Sequence, residues 1–120
     1  MRRRDTGILG EKLARDFLKK RGYRILETNY RCSHGEIDIV ARRKDYLVFV
    51  EVRTRTSLDF GSPEESITPV KQERLKATAW CYQQERGGLP PLWRIDVVAV
   101  VLDQQGKVLR IGHLENAVGD

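Results

Sequence analysis

At 120 residues, 40% of them apolar, the chain has the size of one domain, and residues 1–120 are expected to close around a single core without disulfide or metal staples. Its net charge of +5 is uneven: residues 1–60 hold 15 Lys and Arg against 9 Asp and Glu (+6), and residues 61–120 hold 7 against 8 (−1). No apolar run is long enough to span a bilayer, and Met1-Arg2-Arg3-Arg4 is followed by Asp5 and Thr6 rather than an apolar core, so neither a membrane segment nor a secretory leader is expected.

Along the chain, Leu9, Leu13 and Phe17 at four-residue spacing, with Ala14 and Leu18 beside them, predict a helix over 5–21 that Gly22 stops. Tyr23 to Tyr30 reads as a strand, and Cys32-Ser33-His34 as a turn. With Cys81 the only other cysteine and no CxxC pair, both fit free thiols in a reducing cytoplasm. The stretch Gly35 to Arg55, GEIDIVARRKDYLVFVEVRTR, reads as a β-hairpin because Lys44-Asp45 interrupts two runs of β-branched residues. A turn centred there opposes Ile37 with Val52, Ile39 with Val50 and Ala41 with Val48 on a wholly apolar face. The other face then opposes Val40 with Phe49, Asp38 with Glu51 and Glu36 with Arg53. Like charges about 5 Å apart destabilise a sheet unless something positive lies between them, and a divalent cation is the simplest candidate.

A loop is expected from Arg55 to Ser66, broken by Gly61 and Pro63. Thr68-Pro69 starts a helix to about Arg86, with threonine as N-cap and proline at the first helical position. Trp93 to Leu102 is a strand apolar on both faces, and Val108 to Leu114 follows after a turn at Asp103-Gln104-Gln105-Gly106. Helix, three strands, helix, two strands, with a helical crossover between Arg53 and Trp93, describes an α/β sandwich around a mixed β-sheet flanked by helices.

The basic N-terminal half suits an anionic partner such as nucleic acid, with Arg2, Arg3, Arg4, Arg42, Arg43 and Lys44 as phosphate contacts. Lys71 heads a helical row with Leu75, Thr78 and Tyr82. Either it holds a phosphate beside unpaired first-turn amides, or its stem packs and its ammonium reaches water. Asp96, between Ile95 and Val97, is expected to pair with Arg94 or Arg53 in a structural role. His34 and His113 are isolated in sequence, so no histidine-based site is expected, and no glycine loop suggests a nucleotide cofactor.

An acidic residue on one strand followed by Glu51-Val52-Arg53 on the next resembles the PD-(D/E)XK nuclease signature. Gly10-Glu11, Asn29-Tyr30-Arg31, Gly35-Glu36-Ile37-Asp38, Phe49-Val50-Glu51-Val52-Arg53, Arg94-Ile95-Asp96-Val97-Val98 and Glu115-Asn116-Ala117 together resemble the bacterial YraN family. That family is similar to archaeal Holliday-junction resolvases. The resemblance implies a restriction-endonuclease-like fold and hydrolysis of branched or structured DNA with Mg²⁺ or Mn²⁺. It implies Glu11, Asp38, Glu51 and Arg53 as catalytic residues, and Asp38, Glu51 and the Val52 carbonyl as metal ligands. It also implies a homodimer, since a four-way junction presents two symmetric cuts. Arg53 departs from the usual lysine: arginine stays charged and orients a phosphate, but it is a poor proton acceptor. A binding module that keeps the fold without cleavage is the alternative. Glu36 has two readings, an ion pair with Arg53 or an accessory metal role, and Glu11 has the simpler reading of a solvated first-turn carboxylate.

Overall fold

The computed structural model describes residues 3–56 and 67–118. The elements are α1 (Arg3–Lys20), β1 (Arg24–Cys32), β2 (Gly35–Arg43), β3 (Tyr46–Thr56), α2 (Pro69–Glu85), β4 (Leu92–Leu102) and β5 (Val108–Leu114). This is the expected order. The expected loop at Arg55 is corrected: β3 runs on to Thr56 because Arg55 and Thr56 pair with Val101 and Leu102 of β4. The remainder of that loop lies outside the described residues.

The helix ends follow from local chemistry. At the end of α1 the Tyr23 N–H reaches the Leu18 carbonyl at 3.0 Å and the Gly22 N–H reaches the Lys19 carbonyl at 3.1 Å. That two-bond closure needs a left-handed residue, and Gly22 has φ 88°. At the start of α2 the Thr68 hydroxyl accepts from the Lys71 N–H at 3.1 Å, and Pro69 follows it as the first helical residue.

The sheet is mixed, with strand order β1-β2-β3-β4-β5; only β3 and β4 run parallel, across the α2 connection. The apolar stripe of α1 covers one face, with Ala14 and Leu18 packed on Ile39, Ala41, Val48, Val50, Val98 and Val100. On the other face α2 lays Leu75, Ala79 and Tyr82 over Ile37, Val40, Leu47, Phe49 and Ile95. Strands covered on both sides must be apolar on both sides, which is why β3 and β4 read as continuous hydrophobic runs. Each fully buried side chain of this size contributes roughly 1.5–3 kcal/mol.

Asp96 is the fully buried exception on β4. Its carboxylate accepts from Arg94 Nε at 3.0 and 3.2 Å, lies 2.8 Å from His113 Nε2, and accepts from the Asn116 N–H at 2.9 Å. Arg94 in turn donates to the Tyr23 hydroxyl at 2.7 Å. Burial pushes this carboxyl up, but the His113, Asn116 and Arg94 contacts outweigh it and hold it below the usual carboxylate range. The expected pairing with Arg94 is present. His113, isolated in sequence, is brought into the network by the β4–β5 pairing of Val98 with His113.

Gly10 shows how closely α1 approaches the sheet: a Cβ there would lie 2.9 Å from both Thr54 Cβ and Cγ2 and overlap its hydroxyl oxygen. We expect Gly10→Ala to lower stability by about 1–3 kcal/mol, the cost of overpacking, in urea denaturation. Adding Thr54→Ala should restore part of that loss, because two of the three clashing atoms disappear.

Candidate functional site

The hairpin keeps its expected register only in its upper half. Arg43 to Ile39 pair with Tyr46 to Val50, and the β2–β3 ladder then ends. Ile37 belongs to the α2-side core and Ile39 to the α1-side core, although strand alternation puts residues two apart on one face. Asp38 is the residue between them. Across β1, Thr28 and Tyr30 pair with Ile39 and Ile37, so Asn29 stands opposite Asp38, and it adopts φ 54°. Both strands turn over together at this point. The expected ladder pairs Ile37–Val52, Asp38–Glu51 and Glu36–Arg53 are therefore corrected: β2 leaves β3 where the turnover occurs.

Asp38 fills the gap. Its Oδ2 accepts from the Val52 N–H at 2.7 Å, in place of the ladder carbonyl that β2 no longer supplies. A half-buried carboxylate set against Glu51 is costly to ionise, and the Asp38 carboxyl is pushed up to about 8. Burial is the largest cause, the hydrogen bond to Glu51 and the Glu51 charge follow, the Val52 amide opposes them, and the Glu11 charge adds a little. The two acids, set against each other with too few donors, therefore resist ionising together.

Glu51 is buried on β3, and its Oε2 lies 3.1 Å from Lys71 Nζ. Thr68 sets the first turn of α2 so that Lys71 overhangs the sheet. The Lys71 ammonium, part-exposed, pairs with the Glu51 carboxylate. Its backbone N–H is already taken by Thr68. Arg53 is half-buried, with its Nε enclosed and without a hydrogen-bond partner among the described residues.

Glu11 projects from α1 toward the same region. Burial raises its carboxyl above the usual range, Arg15 lowers it and Glu36 raises it, and its enclosed Oε1 has no hydrogen-bond partner among the described residues. Glu36 is ion-paired at 2.8 Å with Arg31, its cross-strand neighbour on β1, and not with Arg53. Four carboxylates therefore influence one another here. Among the described residues, however, no three His, Cys, Asp or Glu side chains are gathered closely enough to hold one metal ion.

The basic residues lie elsewhere. Arg42 and Lys44 are exposed at the hairpin turn, and the Arg43 guanidinium stacks over Tyr23 at 5.3 Å. Glu51 lies five strand steps beyond Tyr46, where β3 leaves the turn, about 17 Å along the strand. Arg4 is exposed near the start of α1. Arg2 lies outside the described residues, and Arg3 contributes only the first backbone unit of α1.

Residues 10–100 match the model of an uncharacterised protein family, UPF0102. The chain belongs to that family. It is 48% identical over 117 residues to a UPF0102 protein of Moorella thermoacetica, covering 98% of each chain. A UPF0102 protein of Pelotomaculum thermopropionicum is 46% identical over 115 residues, covering 96% of each. One from Dehalococcoides mccartyi is 46% identical over 118 residues, covering 98% of this chain and 96% of that one. Among the described residues of this UPF0102 protein, no helix is long and apolar enough to cross a membrane.

A raised carboxyl makes the folded state bind a proton that the unfolded state has released. Its contribution is complete below about pH 4, the unfolded value, and is lost as pH rises toward about 8. We expect the stability difference between Asp38→Asn and wild type, in chelator, to move in the variant's favour across that window. The slope should be at most about 1.4 kcal/mol per pH unit. Asparagine can keep the Val52 bond and donate to Glu51 without a titrating proton. A difference that stays flat from pH 4 to 8 would remove the shared proton.

Proposed function

We propose that this chain is a divalent-metal-dependent endonuclease-like protein, one nuclease-like domain of restriction-endonuclease-like architecture, acting on branched or otherwise structured DNA. The observation that carries the reading is the Asp38–Glu51 contact at the point where β2 and β3 part. A half-buried acid set against a buried one, the two unable to ionise together, is poised to take a cation between them.

The residues present fit Mg²⁺ or Mn²⁺. Asp38 and Glu51 supply hard oxygen donors, and the Val52 carbonyl leaves the strand edge that its N–H shares with Asp38. Glu11, with its unpaired buried oxygen, is the third carboxylate in reach of their field. When bound, such an ion supplies Lewis-acid charge to a phosphodiester and activates water near neutral pH.

The chain's own groups have separate tasks. Asp38 gives up its proton. Lys71, relieved of neutralising Glu51, becomes free to meet a phosphate, and Arg53 orients the scissile group and counters its charge. Glu36 stays with Arg31. The turn Arg42–Lys44 meets the duplex about 17 Å away, a distance covered by roughly five base pairs. Two chains arranged about a two-fold axis would suit the two cuts of a four-way junction. Arg53, at the place usually held by lysine, favours a second reading: a nucleic-acid-binding module that does not cleave.

Calorimetry with Mn²⁺ at pH 7 should show binding with proton release, and Asp38→Asn should lose it; equal affinity in the variant would remove the metal site. Labelled linear, flap and four-way-junction DNA, incubated with Mn²⁺ or chelator, tests turnover. We expect metal-dependent cleavage that Arg53→Lys keeps and Arg53→Ala lowers by roughly 10²-fold or more. Junction binding without cleavage by wild type or Arg53→Lys, under any divalent metal, would leave the binding module.

A further inference from the structure

A second group of reactive side chains lies on the α2 side of the β1–β2 turn and takes no part in the proposed hydrolysis. Cys32 closes β1, Cys81 sits in α2, and both are half-buried free thiols. Although 49 residues apart in sequence, they are brought to the same place: Cys32 pairs across the turn with Gly35, which packs on Thr78, and Cys81 lies one helical turn beyond Thr78 in α2. Gly35 explains the closeness: with φ 152°, it brings the turn so near α2 that a Cβ there would lie 3.1 Å from the Thr78 hydroxyl.

The two sulfurs are inequivalent. Cys32 Sγ accepts the His34 N–H at 3.4 Å. Burial pushes the Cys32 thiol up, but the His34 amide, the Cys81 thiol, the Gly35 amide and the Thr78 hydroxyl outweigh it and bring it below the usual thiol value. The Thr78 hydroxyl also donates to the Arg74 carbonyl at 2.7 Å, and its one proton serves one acceptor at a time, so the amides are the steadier donors. Cys81 is shifted the other way, chiefly by its hydrogen bond to Cys32 and then by burial. Cys32 also lines an open depression of about 450 Å³ beside His34 and Arg74, so a small reagent reaches it from solvent.

We propose that Cys32 and Cys81 are a peroxide-reactive thiol pair, Cys32 the attacking sulfur and Cys81 the resolving one, that closes to an intramolecular disulfide. The Cys32 thiolate attacks one oxygen of a hydroperoxide, the O–O bond breaks, and the alcohol or water leaves after taking a proton; sulfur is oxidised to a sulfenic acid and the peroxide is reduced. Cys81 then gives up its proton and attacks that sulfur, the S–O bond breaks, and water leaves with the proton. Two thiols and one hydroperoxide become one disulfide, one alcohol or water, and one further water. The new bond ties the end of β1 to α2, and the enclosed segment contains Asp38, Glu51, Arg53 and Lys71. Oxidation thereby fixes α2, the helix that carries Lys71, against the end of β1.

The test treats the full chain at pH 7 with one equivalent of hydrogen peroxide and reads intact mass and a non-reducing peptide map. Wild type should lose two hydrogens per chain, in a monomeric Cys32–Cys81 cross-link that thiol reductant reverses. Cys81→Ser should stop at a sulfenic acid that dimedone captures at Cys32. Cys32→Ser should consume peroxide at least tenfold more slowly. In unmodified wild type, limited iodoacetamide should label Cys32 ahead of Cys81, a readout independent of any variant's folding. Cross-links only between chains, equal labelling of the two thiols, or peroxide consumption unchanged in Cys32→Ser would each overturn the proposal. None of these readouts depends on metal or DNA, so the outcome is separate from that of the nuclease reading.

Discussion

The hydrogen bond from the Val52 N–H to Asp38 Oδ2, at 2.7 Å, is the contact on which the rest of this structure turns. A strand that leaves its neighbour exposes unpaired backbone groups, and one buried unsatisfied amide costs about 1–3 kcal/mol. A short acidic side chain lying between the strands supplies the missing acceptor, so β2 can part from β3 without that loss. The consequences are local and linked. Both strands of the β1–β2 hairpin turn over at Asn29 and Asp38, Ile37 passes to the α2 side while Ile39 stays under α1, and the acceptor itself is held against Glu51.

Comparison of half-buried Asp38 with fully buried Asp96 shows why one points to chemistry and the other to architecture. Asp96 receives Arg94, His113 and the Asn116 amide, and is stabilised as an anion. Its partners come from β4, β5 and the segment after β5, so it ties the edge of the sheet to the C-terminal residues, where Ala117 also bonds Ile95 and Val118 enters the α2-side core. Asp38 receives a single amide and faces a second acid. Burial without enough donors forces a proton onto it, and such unmet electrostatic demand concentrates at sites that bind or react.

The second support of the site is α2. Capped by Thr68 and seated by Leu75, Ala79 and Tyr82, it delivers Lys71 to Glu51 at one end and Cys81 to Cys32 further along. The helix that neutralises the buried acid thus also bears one half of the thiol pair. The charge at the far hairpin turn is separate from both, since strand length alone carries it about 17 Å from Glu51.

Much of this was legible from the residues in order. Hydrophobic spacing placed both helices and all five strands, Thr68-Pro69 marked the start of α2, and the two-residue turn at Lys44-Asp45 set the correct pairing from Ile39 to Arg43. Those features are local, and each is decided by a few neighbouring side chains. Asp38 and Glu51 could likewise be picked out, because charged residues inside apolar strands are conspicuous. Their relation could not. Strict alternation predicted an opposed ladder pair, and the turnover at Asn29 and Asp38 arises only when Ile37 and Ile39 choose opposite cores, a packing decision made by α1 and α2 together. The partners of Glu36, Glu51 and His113 were hidden for the same reason: Arg31, Lys71 and Asp96 come from other elements. Sequence determined which segments are helix and strand and which polar residues are out of place. Tertiary structure alone decided which of those residues meet, because burial and charge act through space, and neither follows the order of the chain.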